Sequence, residues 1–178
     1  MPKTEPHALL LTGPPGIGKT TVMRRAAEEL SDLTIRGFTT EEIREAGQRV
    51  GFRIDTFDGA TAVLAHVEIR SPNRVGKYGV DLAALDRVAA DQLSPGRGDV
   101  IFIDEIGKME TFSRKFVETV ESILDSLIPV VATVGQRGGG FIEEVKRRTD
   151  VLLWTVSRAN RDRMPEEIAA WVRRRLGR

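Results

Sequence analysis

Gly13-Pro14-Pro15-Gly16-Ile17-Gly18-Lys19-Thr20 is the stretch whose reading decides the fold. It satisfies G-x-x-x-x-G-K-[ST] at every fixed position. Upstream, Ala8-Leu9-Leu10-Leu11-Thr12 is a short apolar run of the kind that forms a buried parallel strand. Downstream, Val22, Ala26 and Leu30 recur at helical spacing, with Arg24, Arg25, Glu28 and Glu29 between them. The glycines allow positive φ and bring backbone N–H groups close around phosphate oxygens. The helix N-terminus behind them adds unpaired N–H donors and the positive end of its dipole. In such a turn Lys19 reaches the β- and γ-phosphates, the Thr20 hydroxyl is a Mg²⁺ ligand, and Thr21 extends the phosphate-binding set. The stretch predicts a nucleotide site.

A second half of that site is expected after Val100-Ile101-Phe102-Ile103, an apolar run that ends in Asp104-Glu105. Ligands of open α/β sheets gather at the carboxyl ends of strands, so Asp104 is assigned to Mg²⁺. Glu105 beside it is positioned to take a proton from an attacking water. Asp104-Glu105-Ile106-Gly107 also spells the D-x-x-G of signalling GTPases, but no [NT]-K-x-D segment follows. Thr133 ends the next apolar run, either as a sensor of the γ-phosphate or as a strand-end Thr. Arg74, Lys77 and Arg137 are candidates to move onto the phosphates, against the commoner reading of such residues as surface charges.

Between these halves the chain turns β-rich. Residues 35–43 and 49–57 read as strands flanking Glu45-Ala46-Gly47-Gln48. Asp58-Gly59 signals another hairpin, after which Val63, Ala65, Val67 and Ile69 alternate. Asp81 is expected to cap a helix carrying Leu82, Leu85 and Val88. Phe112, Phe116, Val120, Ile123 and Leu127 predict one long helix. A strand over 128–134, a short helix around Ile142 and Val145, a strand over 151–156 and a helix from about Pro165 complete the chain. The expected architecture is one α/β domain spanning 1–178, a mostly parallel sheet with an antiparallel meander added.

Several blocks together resemble the THEP-type nucleoside-triphosphatases, a P-loop family. They are Thr12 to Thr21, Gly37-Phe38-Thr39-Thr40-Glu41-Glu42-Ile43-Arg44, Gly51-Phe52, Arg74-Val75-Gly76-Lys77-Tyr78, the run Ile103 to Glu110, Ala132-Thr133 and Asn160-Arg161. The resemblance implies a RecA-like core and slow, Mg²⁺-dependent hydrolysis of ATP, GTP, CTP and UTP with broad base tolerance. It also places Ile106, Gly107 and Lys108 with the nucleotide-binding residues and Asn160 and Arg161 near the base or ribose. Val134-Gly135-Gln136 departs from the family pattern. A small-molecule kinase and a slow nucleotide-dependent switch stay open as alternatives.

Composition narrows the partners. With 27 Lys and Arg against 26 Asp and Glu, the net charge of +1 offers no electrostatic case for nucleic acid or an anionic membrane. No apolar run approaches the roughly 20 residues of a membrane span. With seven residues before the first strand, no signal peptide is expected, and cysteine is absent. A cytoplasmic monomer acting on nucleoside triphosphates is the expectation.

Overall fold

The structure, a computed structural model, describes residues 5–178. The expected extent of 1–178 therefore includes four residues that lie outside the described ones. Strand β1 (Ala8–Thr12) leads into the glycine-rich turn, and helix α1 (Lys19–Glu29) leaves it. Then come β2 (Ile35–Glu45), β3 (Gln48–Thr56), β4 (Thr61–His66), β5 (Arg74–Val75), β6 (Tyr78–Val80) and α2 (Leu82–Gln92). The second half runs β7 (Val100–Ile106), a 3-10 turn (Glu110–Phe112), α3 (Arg114–Leu124), β8 (Val130–Val134), α4 (Phe141–Arg147), β9 (Val151–Thr155) and α5 (Met164–Arg175).

The nine strands among the described residues share one sheet, in the order β5-β6-β4-β3-β2-β7-β8-β1-β9. From β2 to β9 every pairing is parallel; from β2 to β5 every pairing is antiparallel. β2 serves both halves. Its first residues, Ile35 to Phe38, pair with β7, and the rest pairs with β3. In the parallel half β8 stands between β1 and β7, which is the RecA-like order.

The apolar runs of the parallel strands are continuous because both faces of the sheet are covered. Leu9 and Leu11 join Phe102, Val131, Met23 and Trp171 beneath α1 and α5. Leu10 joins Ile101, Ile103, Ala132, Phe116 and Leu85 on the side of α2 and α3. Neighbouring residues of one strand thus serve opposite cores.

Three local differences from the sequence reading have physical causes. The Ser113 hydroxyl accepts from the Phe116 amide at 2.9 Å, so α3 starts after Phe112; it ends at Leu124, and Leu127 is 75% exposed. Along β4 the register slips, with Phe52 opposite Ala65 and Arg53 opposite Val63. Leu64 is the extra residue of a bulge, so Leu64 and Ala65 both turn inward and Val63 is 41% exposed. Residues 74–80 fold back as a small hairpin, Val75 opposite Tyr78, that ends the sheet.

Candidate active site

The turn after β1 is shaped by its glycines. Gly18 immediately precedes α1 with φ 109°, a conformation that side-chain-bearing residues resist. The Lys19 ammonium arches back over the turn and donates to the carbonyls of Gly13 (2.9 Å) and Pro14 (3.3 Å). The ammonium therefore lies over the loop.

Asp104, on β7, is 3% exposed and ties three elements together. It accepts from the Thr20 hydroxyl of α1 and from the Thr133 hydroxyl of β8, each at 2.6 Å, and from the Thr40 backbone of β2. Burial pushes the Asp104 carboxyl up; the hydrogen bonds from Thr133, Thr20 and Thr40 and the Lys19 charge oppose that. The Thr20 and Asp104 oxygens are hard donors beside a phosphate loop. They fit Mg²⁺, which takes one or two protein oxygens and completes its shell with phosphate and water.

Glu105 is half-buried, and its carboxyl is raised by burial first and the neighbouring Asp104 second, with Lys19 acting against both. A second acid stands close by. A Cβ placed on Gly107 would lie 2.5 Å from Glu105 Oε1 and 3.0 Å from Glu110 Oε2, so both carboxyls crowd one point. Glu110 is 3% exposed, and burial together with the Glu105 charge pushes it up to about 8. Its own amide and that of Gly107 pull the other way.

These groups open onto a cavity of about 680 Å³ between the phosphate loop, the end of β7 and the meander. Across the loop lies a smaller cleft of about 240 Å³ lined by Gly18, Thr21, Arg25 and Arg161.

The expected residues sort accordingly. Pro14, Pro15, Lys19, Glu105, Gly107 and Lys108 line the larger cavity. Ile17 packs toward the core beneath α1, and Ile106 is fully buried in the opposite core, so its side chain supports the strand end. Thr133 meets Asp104 directly. Arg161 reaches the loop, donating to the Ile17 carbonyl at 3.1 Å. Asn160 instead braces its own turn, accepting from the Ser157 amide and donating to the Thr155 carbonyl, each at 2.8 Å. Of the three candidate cations, Arg74 donates to the carbonyls of Ile69 and Lys77, and Lys77 lies over the Tyr78 ring. Arg137 lines the cavity. The sequence reading gave Glu110 and Thr40 no role. Glu110 stood in plain view in the run from Ile103 to Glu110, but its burial depends on how the 3-10 turn packs.

A phosphate loop, an acid-ended strand separated from it by one strand, and a further glutamate beside that acid define a RecA-like P-loop nucleotide-hydrolysing class. The profile of a family described as NTPase matches residues 8–169. The chain belongs to that NTPase family. It is 44% identical over 162 residues to nucleoside-triphosphatase THEP1 of Thermotoga sp. strain RQ2, covering 90% of this chain and 92% of the relative. It superposes on THEP1 from Aquifex aeolicus with a TM-score of 0.77 at 34% identity, covering 93% of this chain and 98% of the other. On a human cancer-related nucleoside triphosphatase the TM-score is 0.80 at 36% identity, covering 94% and 97%.

Proposed function

We propose that this NTPase hydrolyses ATP, GTP, CTP and UTP to the diphosphate and phosphate in a Mg²⁺-dependent reaction. The observation that carries the reading is that Glu105 shares a cavity with the Lys19 ammonium and directly follows the buried acid hydrogen-bonded to Thr20. Lys19 holds the β- and γ-phosphates. Thr20 and Asp104 hold Mg²⁺, and Thr133 fixes the orientation of the Asp104 carboxylate. Mg²⁺ held by Thr20 and Asp104 would supply positive charge against the charge that develops on the phosphates. Glu105 takes a proton from water as the water oxygen bonds the γ-phosphorus and the bond to the bridging oxygen breaks. Its raised proton affinity suits it to that work. The small cleft lined by Arg161 and Thr21 would take the ribose and base.

Glu105→Gln keeps the side chain's size and removes its basicity. Single-turnover hydrolysis should fall by roughly 10²–10⁴-fold while Mg²⁺–ATP affinity stays near its parental value. Unchanged hydrolysis with normal binding would overturn the assignment of the base. Recognition rests on phosphates, so kcat/KM for the four nucleotides should fall within about tenfold, or about 1.4 kcal/mol. A preference above about a hundredfold would mean a dedicated base pocket.

A further inference from the structure

Hydrolysis requires one water molecule, whose share of liquid volume is about 30 Å³. The cavity of about 680 Å³, within the usual range for small-molecule sites, takes in the phosphate loop at Gly13, Pro14, Pro15 and Lys19 and continues past it to the meander. Its walls are wrong for water alone. Phe52, Leu64, Val75, Met109 and Ile142 line it, drawn from three strands of the meander, the segment after β7 and α4. The wall is fixed in place: Phe52 packs edge-on against Tyr78 with ring centroids 5.2 Å apart, and the Arg49 guanidinium covers both rings. The polar floor consists of Lys19, Glu105 and Glu110. Lys108 and Arg137 also line the cavity, and among the described residues neither belongs to an ion pair.

We propose that this cavity binds a second substrate, a small alcohol with an aromatic or aliphatic body and an anionic far end, which accepts the γ-phosphoryl group. The proposal rests on the preceding reading that Lys19 and Glu105 handle the γ-phosphate. The apolar body lies against Phe52, Leu64 and Val75, the hydroxyl reaches the floor, and the anion meets Lys108 and Arg137. Glu105 takes the hydroxyl proton, the alcohol oxygen bonds the γ-phosphorus, and the bond to the β–γ bridging oxygen breaks. The products are a phosphate monoester and a nucleoside diphosphate. Without the alcohol, water occupies the same position and the outcome is hydrolysis.

The test uses the full chain with Mg²⁺–ATP and 4-(hydroxymethyl)benzoate as the probe, with products followed by ³¹P NMR. A phosphate monoester should appear beside inorganic phosphate. The methyl resonances of Leu64, Val75 and Ile142 should shift on adding the probe to methyl-labelled protein. Val75→Trp, on the half-buried edge hairpin, fills the cavity. It should lower the ratio of ester to inorganic phosphate by at least about tenfold, a readout that general loss of activity does not move. Inorganic phosphate alone as product, with or without methyl shifts, overturns the transfer. Ester formed in the same ratio by Val75→Trp overturns the site. Failure of the underlying reading shows separately, as no ADP from ATP in the absence of the probe, and it would overturn both.

Discussion

Glu110 shows what a single residue's surroundings do to its proton. Its carboxyl titrates near 4.5 in an unfolded chain and at about 8 in the folded protein. Below the lower value both states hold the proton and stability is independent of this group. Between the two, the unfolded chain loses a proton that the folded chain keeps, so rising pH destabilises the fold by about 1.4 kcal/mol per pH unit. Above about 8 the dependence ends. Glu110→Gln cannot ionise and should remove that slope. Urea denaturation without nucleotide or Mg²⁺, from pH 5 to pH 8, should find the Gln variant gaining on the parent as pH rises. Equal slopes for the two proteins would show that Glu110 ionises normally. At this scale the site was legible where chemistry is written in adjacent residues. Lys19 and Thr20 follow a fixed motif, and Asp104 and Glu105 end an apolar run. Glu110 was not legible, because nothing in its neighbours in sequence announces 3% exposure.

Among the elements, β2 carries the greatest constraint, since one strand pairs parallel on one side and antiparallel on the other. Gly37 lies where it meets β7. Its φ is 105°, and a Cβ there would stand 1.8 Å from the Phe102 carbonyl oxygen. Gly37→Ala should therefore push β2 from β7 and cost about 3 kcal/mol or more. Gly59 is a useful contrast, with φ 92° in the turn between β3 and β4 and nothing within 4 Å of an added Cβ. There the same substitution should cost only the conformational strain, roughly 1–2 kcal/mol. Chemical denaturation of the two variants tests the comparison; equal losses would contradict it. Element types were readable from period and turn residues, as with Ala46-Gly47, where φ values of 47° and 77° make the tight hairpin turn. Boundaries were not. The apolar spacing of Phe112 and Leu127 continues past both ends of α3, but the Ser113 cap begins the helix and Leu124 is its last residue. The bulge at Leu64 breaks an alternation that looks regular in sequence.

At the scale of the whole molecule, the site belongs to no single element: α1, β2 and β8 all hydrogen-bond to Asp104 of β7. Ligand binding there should stabilise the entire fold. At a concentration of Mg²⁺–nucleotide 100 times its Kd, stabilisation should reach about 2.7 kcal/mol, and Lys19→Ala should abolish the gain while leaving the unliganded Tm in place. A full thermal shift retained by Lys19→Ala would place the ligand elsewhere. The sheet's order was legible only through resemblance, since no local signal tells β1 that its neighbours are β8 and β9. That same order governs the protein's synthesis. β1 emerges from the ribosome first, yet Ala8 pairs with Val130 on one side and Val151 on the other. At ordinary translation rates those partners arrive on the order of ten seconds later. Through that interval Leu9-Leu10-Leu11 waits as an uncharged strand with two open edges, a segment prone to pair with another chain. Nascent chains arrested before residue 130 should be protease-sensitive, and released chains should turn resistant only once β9 has been made. β1, made before the strands it pairs with, is among the last to find its place.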